Sequence, residues 1–122
     1  MKIKTILLFV FTLMLSSIVQ SAEFNSIKEV LKNRWDYDQQ FVTVKGIVRM
    51  YDREPLHRHD GFVVELYDKE DMVNIFSFRF PKICHGDSLV VTGRFYAEGT
   101  ADRSSLRNYI DVTRGSVKII QE

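Results

Sequence analysis

The residues of this chain best suited to chemistry are three histidines, one cysteine, and a set of arginines interleaved with aromatic side chains. His57, His59 and Asp60 share one short polar segment, and His85 follows Cys84 further along. A His-x-His pair next to a carboxylate offers imidazole and oxygen ligands to zinc or copper, but a closed site needs third and fourth ligands at fixed distances. The loop holding His57 and His59 and the turn holding His85 need not converge, so solvated loop histidines are the favoured reading. Metal binding through His57 and His59 stays open as an alternative. Cys84 and His85 are chain neighbours with no helix start to lower the thiol pKa. No Gly-x-Ser-x-Gly turn and no glycine-rich phosphate loop occurs. The chain is therefore read as non-enzymatic, with no catalytic residue, resident metal or cofactor assigned.

The arginine and aromatic set points to binding. Arg49, Tyr51, Phe76, Phe78 and Arg94 all fall on strand-like stretches, with His57, Arg58 and His59 in a neighbouring loop. Aromatic rings stack on planar or apolar groups, and arginines contact anions or donate hydrogen bonds. Such a face suits a small molecule, an oligosaccharide, a peptide or a protein partner. It also suits single-stranded nucleic acid, where stacking combines with a basic groove. In that reading Arg79 joins Arg49 and Arg94, and the competing use of Phe76, Phe78 and Phe80 is core packing.

Position along the chain constrains these readings. Residues 1–22 hold Lys2 and Lys4, an apolar run over 6–15, and a small-residue exit of serines and Ala22. That is the layout of a secretory signal peptide, and the run is short for a membrane span of about 20 residues. Cleavage is expected after Ser21 or Ala22, leaving a single domain over 23–122 in the periplasm or outside the cell. Loss of the two leader lysines takes 17 basic groups to 15 against 16 acidic ones, and the formal charge from +1 to −1. So even a balance argues against affinity built on many phosphate contacts. A lone cysteine in an exported chain is either a buried inert thiol or an intermolecular bond, and for Cys84 the inert reading is favoured.

The elements that must position these residues are mostly strands. Ser26 and Glu29 have capping-box spacing ahead of Ile27, Val30 and Leu31. A short helix is expected to about Arg34, with Trp35 and Tyr37 packing where it meets the sheet. Two stretches then read alike: Phe-Val-Thr-Val-Lys-Gly-Ile-Val-Arg at 41–49 and Ser-Leu-Val-Val-Thr-Gly-Arg-Phe-Tyr at 88–96. A glycine inside a strand marks a sharp bend or a close backbone approach, and a small closed barrel needs such corners. Strands are expected over 41–51, with a change of face at Gly46, and over 61–68, 72–80 and 88–96. One or two more follow over 108–120, kinked at Gly115. Residues 52–60 and 97–107 read as polar loops. The 72–80 strand carries bulky groups on both faces, with Val73 and Ile75 on one and Phe76, Phe78 and Phe80 on the other.

Taken together, the Val-x-Val-x-Gly-x-Val string at 42–48, the Phe-x-x-x-Leu-x-Asp string at 62–68 and the Gly-Asp-x-Leu-x-Val-x-Gly string at 86–93 resemble the OB-fold. That fold is a five-stranded Greek-key barrel, and here it would be all-β with a short N-terminal helix. With its leader and small size, the chain looks most like the bacterial OB-fold (BOF) group of exported proteins. The resemblance spans about 26–120 and implies a small binding or stress-tolerance protein of the envelope, without catalysis. The chain departs from that group in its longer first loop, which holds His57 and His59. It also has only 81–86 where a helical link is expected. Exported haem chaperones with a related barrel carry a tyrosine four residues after a histidine. Here those places hold Gly61, Val63 and Leu89, so haem handling finds no support.

Overall fold

A computed structural model describes residues 24–50, 56–58, 61–99 and 106–120. Its elements are the helices α1 (Ile27–Lys32) and α2 (Arg34–Tyr37) and the strands β1 (Phe41–Arg49), β2 (Leu56–Arg58), β3 (Gly61–Asp68), β4 (Asp71–Ser77), β5 (Ser88–Tyr96) and β6 (Tyr109–Ile120). The sheet order is β1-β5-β6-β4-β3-β2, and a further pairing of β1 with β3 closes five of the strands into a barrel. All pairings are antiparallel except β4 with β6. This closed barrel with two short helices is consistent with the all-β OB-fold barrel expected from the sequence.

Alternation along the strands explains the barrel interior. Val42, Val44 and Val48 of β1 are buried, as are Val64 and Leu66 of β3, Val73 and Ile75 of β4, and Leu89, Val91 and Phe95 of β5. These meet in one cluster, because successive strand residues point to opposite faces and the inner set is apolar throughout. The expected change of face at Gly46 does not occur. Burial alternates evenly through β1, placing Gly46 inside and Ile47 outside. The strand instead changes partner there, pairing with β5 as far as Ile47 and with β3 from Ile47 onward.

Helix α1 plugs one end of the barrel with Ile27 and Val30, both inside the main core. Its start is fixed as expected, the Glu29 N–H donating to Ser26 Oγ at 3.0 Å. The helix stops earlier than expected, at Lys32, where Asn33 leaves helical geometry. The break turns Trp35 outward to 61% exposure instead of packing it, with the Arg34 guanidinium 4.9 Å from its ring centre. Tyr37 does pack against the core, and its hydroxyl donates to Glu29 Oε1 at 2.8 Å, which holds its pKa above the usual 10.0. Two further differences concern connections. The stretch read as a loop over 52–60 contains β2, which pairs with the start of β3. The strand expected over 72–80 ends at Ser77, whose hydroxyl donates to the Arg79 carbonyl at 2.6 Å and folds the chain into a turn. No helix among the described residues is long and apolar enough to cross a membrane.

Candidate binding groove

Outside the barrel, strand register lines up a second row of side chains. Phe41 of β1 lies opposite Arg94 of β5, and Arg94 opposite Asp111 of β6. Asp111 lies opposite Phe76 of β4, and Phe76 opposite Val63 of β3. One step along, Tyr96 faces Tyr109, and their rings stack at 5.0 Å with 19° between planes. Phe76 and Tyr109 are fully buried, forming a small outer cluster with Val63 and Leu106. Leu106, at the end of the connection between β5 and β6, covers these rings. Strand β4 is thus covered on both faces at Ile75 and Phe76.

Phe78, just beyond β4, stands edge-on to Phe76 at 5.2 Å and remains 49% exposed. Across from it, Phe41 is 52% exposed, and the Arg94 guanidinium lies 5.1 Å from its ring centre. Between these rings runs an open groove of about 300 Å³, completed by Tyr96, Asp111, Thr113 and Arg114. The last two reach it because β6 leaves its ladder. The pairing with β5 jumps from Thr92–Ser116 to Arg94–Asp111, so 112–115 form an arch. Its feet stay packed, Val112 in the core and Gly115 against the Thr92 backbone, with Thr113 and Arg114 exposed between them. Asp111 starts the arch by accepting the Thr113 N–H at 2.9 Å, an Asx-turn. The groove has rings for stacking and two exposed guanidinium groups for an anion. Its lining also holds the Asp111 carboxylate, cross-strand from Arg94, and the hydroxyls of Tyr96 and Thr113.

The residues singled out from the sequence are divided by the fold. Phe78 and Arg94 do share the groove. Phe76 is 0% exposed and lies beneath it, because its position on β4 faces Val63 and the Leu106 cover; it supports Phe78 and offers no face to a ligand. Arg49 belongs to another surface, 4.1 Å over the Tyr67 ring, where Ile47, Lys69, His85 and Gly86 line a separate cleft of about 250 Å³. His57 and Arg58 are strand residues of β2, paired with Phe62 and Gly61, and their side chains lie outside the description. Tyr51, His59 and the leader at 1–22 lie outside the described residues altogether. His85 Nδ1 accepts the Met50 N–H at 2.9 Å. Among the described residues no three histidine, cysteine or acidic side chains gather to hold a metal. Cys84 is exposed, against the reading of a buried thiol, because its turn holds the backbone to Asp87 and leaves the side chain outward.

No protein-family model matches the chain, and no curated protein matches it. The site therefore rests on geometry. Five of its lining residues, Phe41, Tyr96, Asp111, Thr113 and Arg114, are not among the site residues read from the sequence. Phe41 and Tyr96 had a legible signal, since the buried Val42 and Phe95 beside them force both outward. Arg114 had only the kink expected at Gly115.

Proposed function

We propose that this chain is an exported, non-catalytic binding protein of the bacterial envelope, and that its ligand site is the groove between Phe41, Phe78 and Tyr96. The observation that carries the reading is the pairing of half-exposed rings with two guanidinium groups in one groove, Arg94 being held over Phe41. Keeping large aromatics exposed costs solvation, and concentrated exposed apolar surface marks interaction sites on soluble proteins. The ligand that fits is an anion with an apolar or planar portion. An acidic peptide or an acidic oligosaccharide has that character. Export is supported by the leader at 1–22, and the envelope address by the likeness to the exported OB-fold group.

Fluorescence titration of a labelled acidic peptide, an acidic oligosaccharide and an oligothymidylate tests the site. One of the first two is expected to bind, with Phe41→Ala and Arg94→Ala each weakening it by about tenfold. Equal affinity in wild type and both variants moves the site elsewhere. Tightest binding to the oligothymidylate, falling steeply with salt, replaces the reading with a nucleic-acid one. Amino-terminal sequencing of the exported protein is expected to begin at Ala22 or Glu23, and an intact Met1 would remove the export reading.

A further inference from the structure

Beside the groove, the barrel wall is incomplete. Strand β4 pairs with β6 only over Asn74–Tyr109, Ile75–Ile110 and Phe76–Asp111. Beyond the arch at 112–115, residues 116–120 of β6 pair with β5 on one side, and with no strand among the described residues on the other. A row of backbone N–H and C=O groups on that side is a template for another extended chain. The edge opens onto a slot of about 360 Å³, walled by Phe78, Arg79 and Pro81 after β4 and by Thr113, Ser116 and Val117 of β6. Phe78 and Thr113 also line the groove, so slot and groove are continuous.

Charge decides what fits there. The slot's two walls, 77–81 and 112–117, carry the exposed cations Arg79 and Arg114 and no carboxylate. Lys118 follows along β6, and the nearest acidic group on this face is Asp111 at the groove end. The two faces of the edge strand also differ. Val117 pairs with the buried Val91 and Ile119 with the buried Leu89, so both point toward the barrel interior, and Ile119 is still 44% exposed at its rim. Ser116 and Lys118 alternate to the outer face, on the side of Arg114. A strand laid along this edge would place every second side chain beside Ile119 and Val117, and the others beside Lys118 and Arg114.

We infer that the ligand of this face is an extended polypeptide with alternating acidic and apolar residues, which adds as a strand to the 116–120 edge of β6. This deepens the groove reading and rests on it: the peptide's backbone pairs with β6 while its flank reaches Phe41, Phe78 and Arg94. Strand addition draws affinity from main-chain hydrogen bonds and specificity from alternate side chains. Nucleic acid could answer the cations but has no use for an open sheet edge.

The test alters the probe first and the protein second. A labelled peptide of alternating glutamate and valine is titrated against the whole exported chain. It is compared with two versions N-methylated on every second amide, one for each edge of the peptide, and with a peptide of the same composition in which valines and glutamates are separated into blocks. The alternating peptide is expected to bind. One N-methylated version should lose at least about tenfold in affinity and the other little, because only one peptide edge pairs with β6. The block peptide should bind more weakly. Exchange of both cations, Arg114→Glu with Lys118→Glu, should weaken the alternating peptide at unchanged melting temperature, since both side chains are exposed. Equal binding by both N-methylated versions overturns strand addition. If Arg94→Ala still weakens the peptide in that case, the groove reading survives alone; if it does not, both fail. Tighter binding of an oligothymidylate of equal length overturns the peptide in favour of nucleic acid.

Discussion

Gly46 and Gly93 occupy the same place in two similar strands, yet the strand ladder closes across one crossing and opens beside the other. Neither glycine has a left-handed backbone; both are there because another strand passes too close for a side chain. A Cβ at Gly46 would stand 2.7 Å from the Tyr67 carbonyl oxygen and 2.8 Å from Leu66 Cγ. At Gly93 it would overlap the Asp111 carbonyl oxygen and stand 2.8 Å from Ile110 Cγ2. At Gly46, β1 hands over from β5 to β3 without a bulge, and beside the crossing Arg49 lies over Tyr67, whose hydroxyl donates to Glu65, next to shallow clefts lined by Ile47 and Lys69. At Gly93 the partner strand bulges over 112–115, bringing Arg114 to the groove, and past the bulge the outer edge of β6 pairs with no strand among the described residues. The glycine permits the crossing; the partner strand determines whether a site forms over it.

The largest effect is expected under the open crossing. Phe76→Ala removes a fully buried ring that supports Phe78 and is expected to cost about 3–5 kcal/mol in chemical denaturation. Phe78→Ala, at a half-exposed position, should cost under about 1 kcal/mol while weakening the groove ligand. If the two substitutions cost the same, the outer cluster is not an independent floor for the groove.

Next in size are the crossings themselves. Gly93→Val and Gly46→Val each force a branched side chain against a neighbouring backbone, an overpacking cost of about 1–3 kcal/mol. Gly93 should be the worse of the two, because the backbone carbonyl of Asp111 lies closer to it than the Tyr67 carbonyl lies to Gly46, the side-chain neighbours being equally near. Thermal melting of both variants gives the order. A wild-type melting temperature in either shows that its strand passes without a close crossing, and the reverse order removes the distinction between them.

The crossings were legible in the sequence because a glycine inside a β-branched run has few other uses, and the strands at 61–68 and 88–96 fall where alternation placed them. The outer face was less legible for a physical reason. Alternation says that Phe76 and Phe78 point away from the barrel core. It does not say that Leu106, distant in sequence, covers one of them and leaves the other bare. Arg49 and Arg94 look equivalent as strand arginines, and only cross-strand register gives one Glu65 opposite and the Tyr67 ring beneath it, and the other a phenylalanine in an open groove. Trp35 illustrates the same limit. Its helical spacing suits packing, but the break at Asn33 rotates it into solvent.

The smallest effect on stability, and the sharpest on the comparison, comes from the two arginines. Arg49→Ala and Arg94→Ala each remove a guanidinium from an aromatic face at the surface, a contact worth about 0.5–1 kcal/mol at exposed sites. Their melting temperatures should therefore be close to each other and to that of the parent. Binding should separate them. Arg94 lines the groove, whereas Arg49 sits over Tyr67 with Glu65 as its cross-strand neighbour, already answered by its own surface. Titration of the same acidic peptide into both variants should show a loss with Arg94→Ala and parental affinity with Arg49→Ala. A loss confined to Arg49→Ala would transfer the site to the closed crossing and its cleft beside His85.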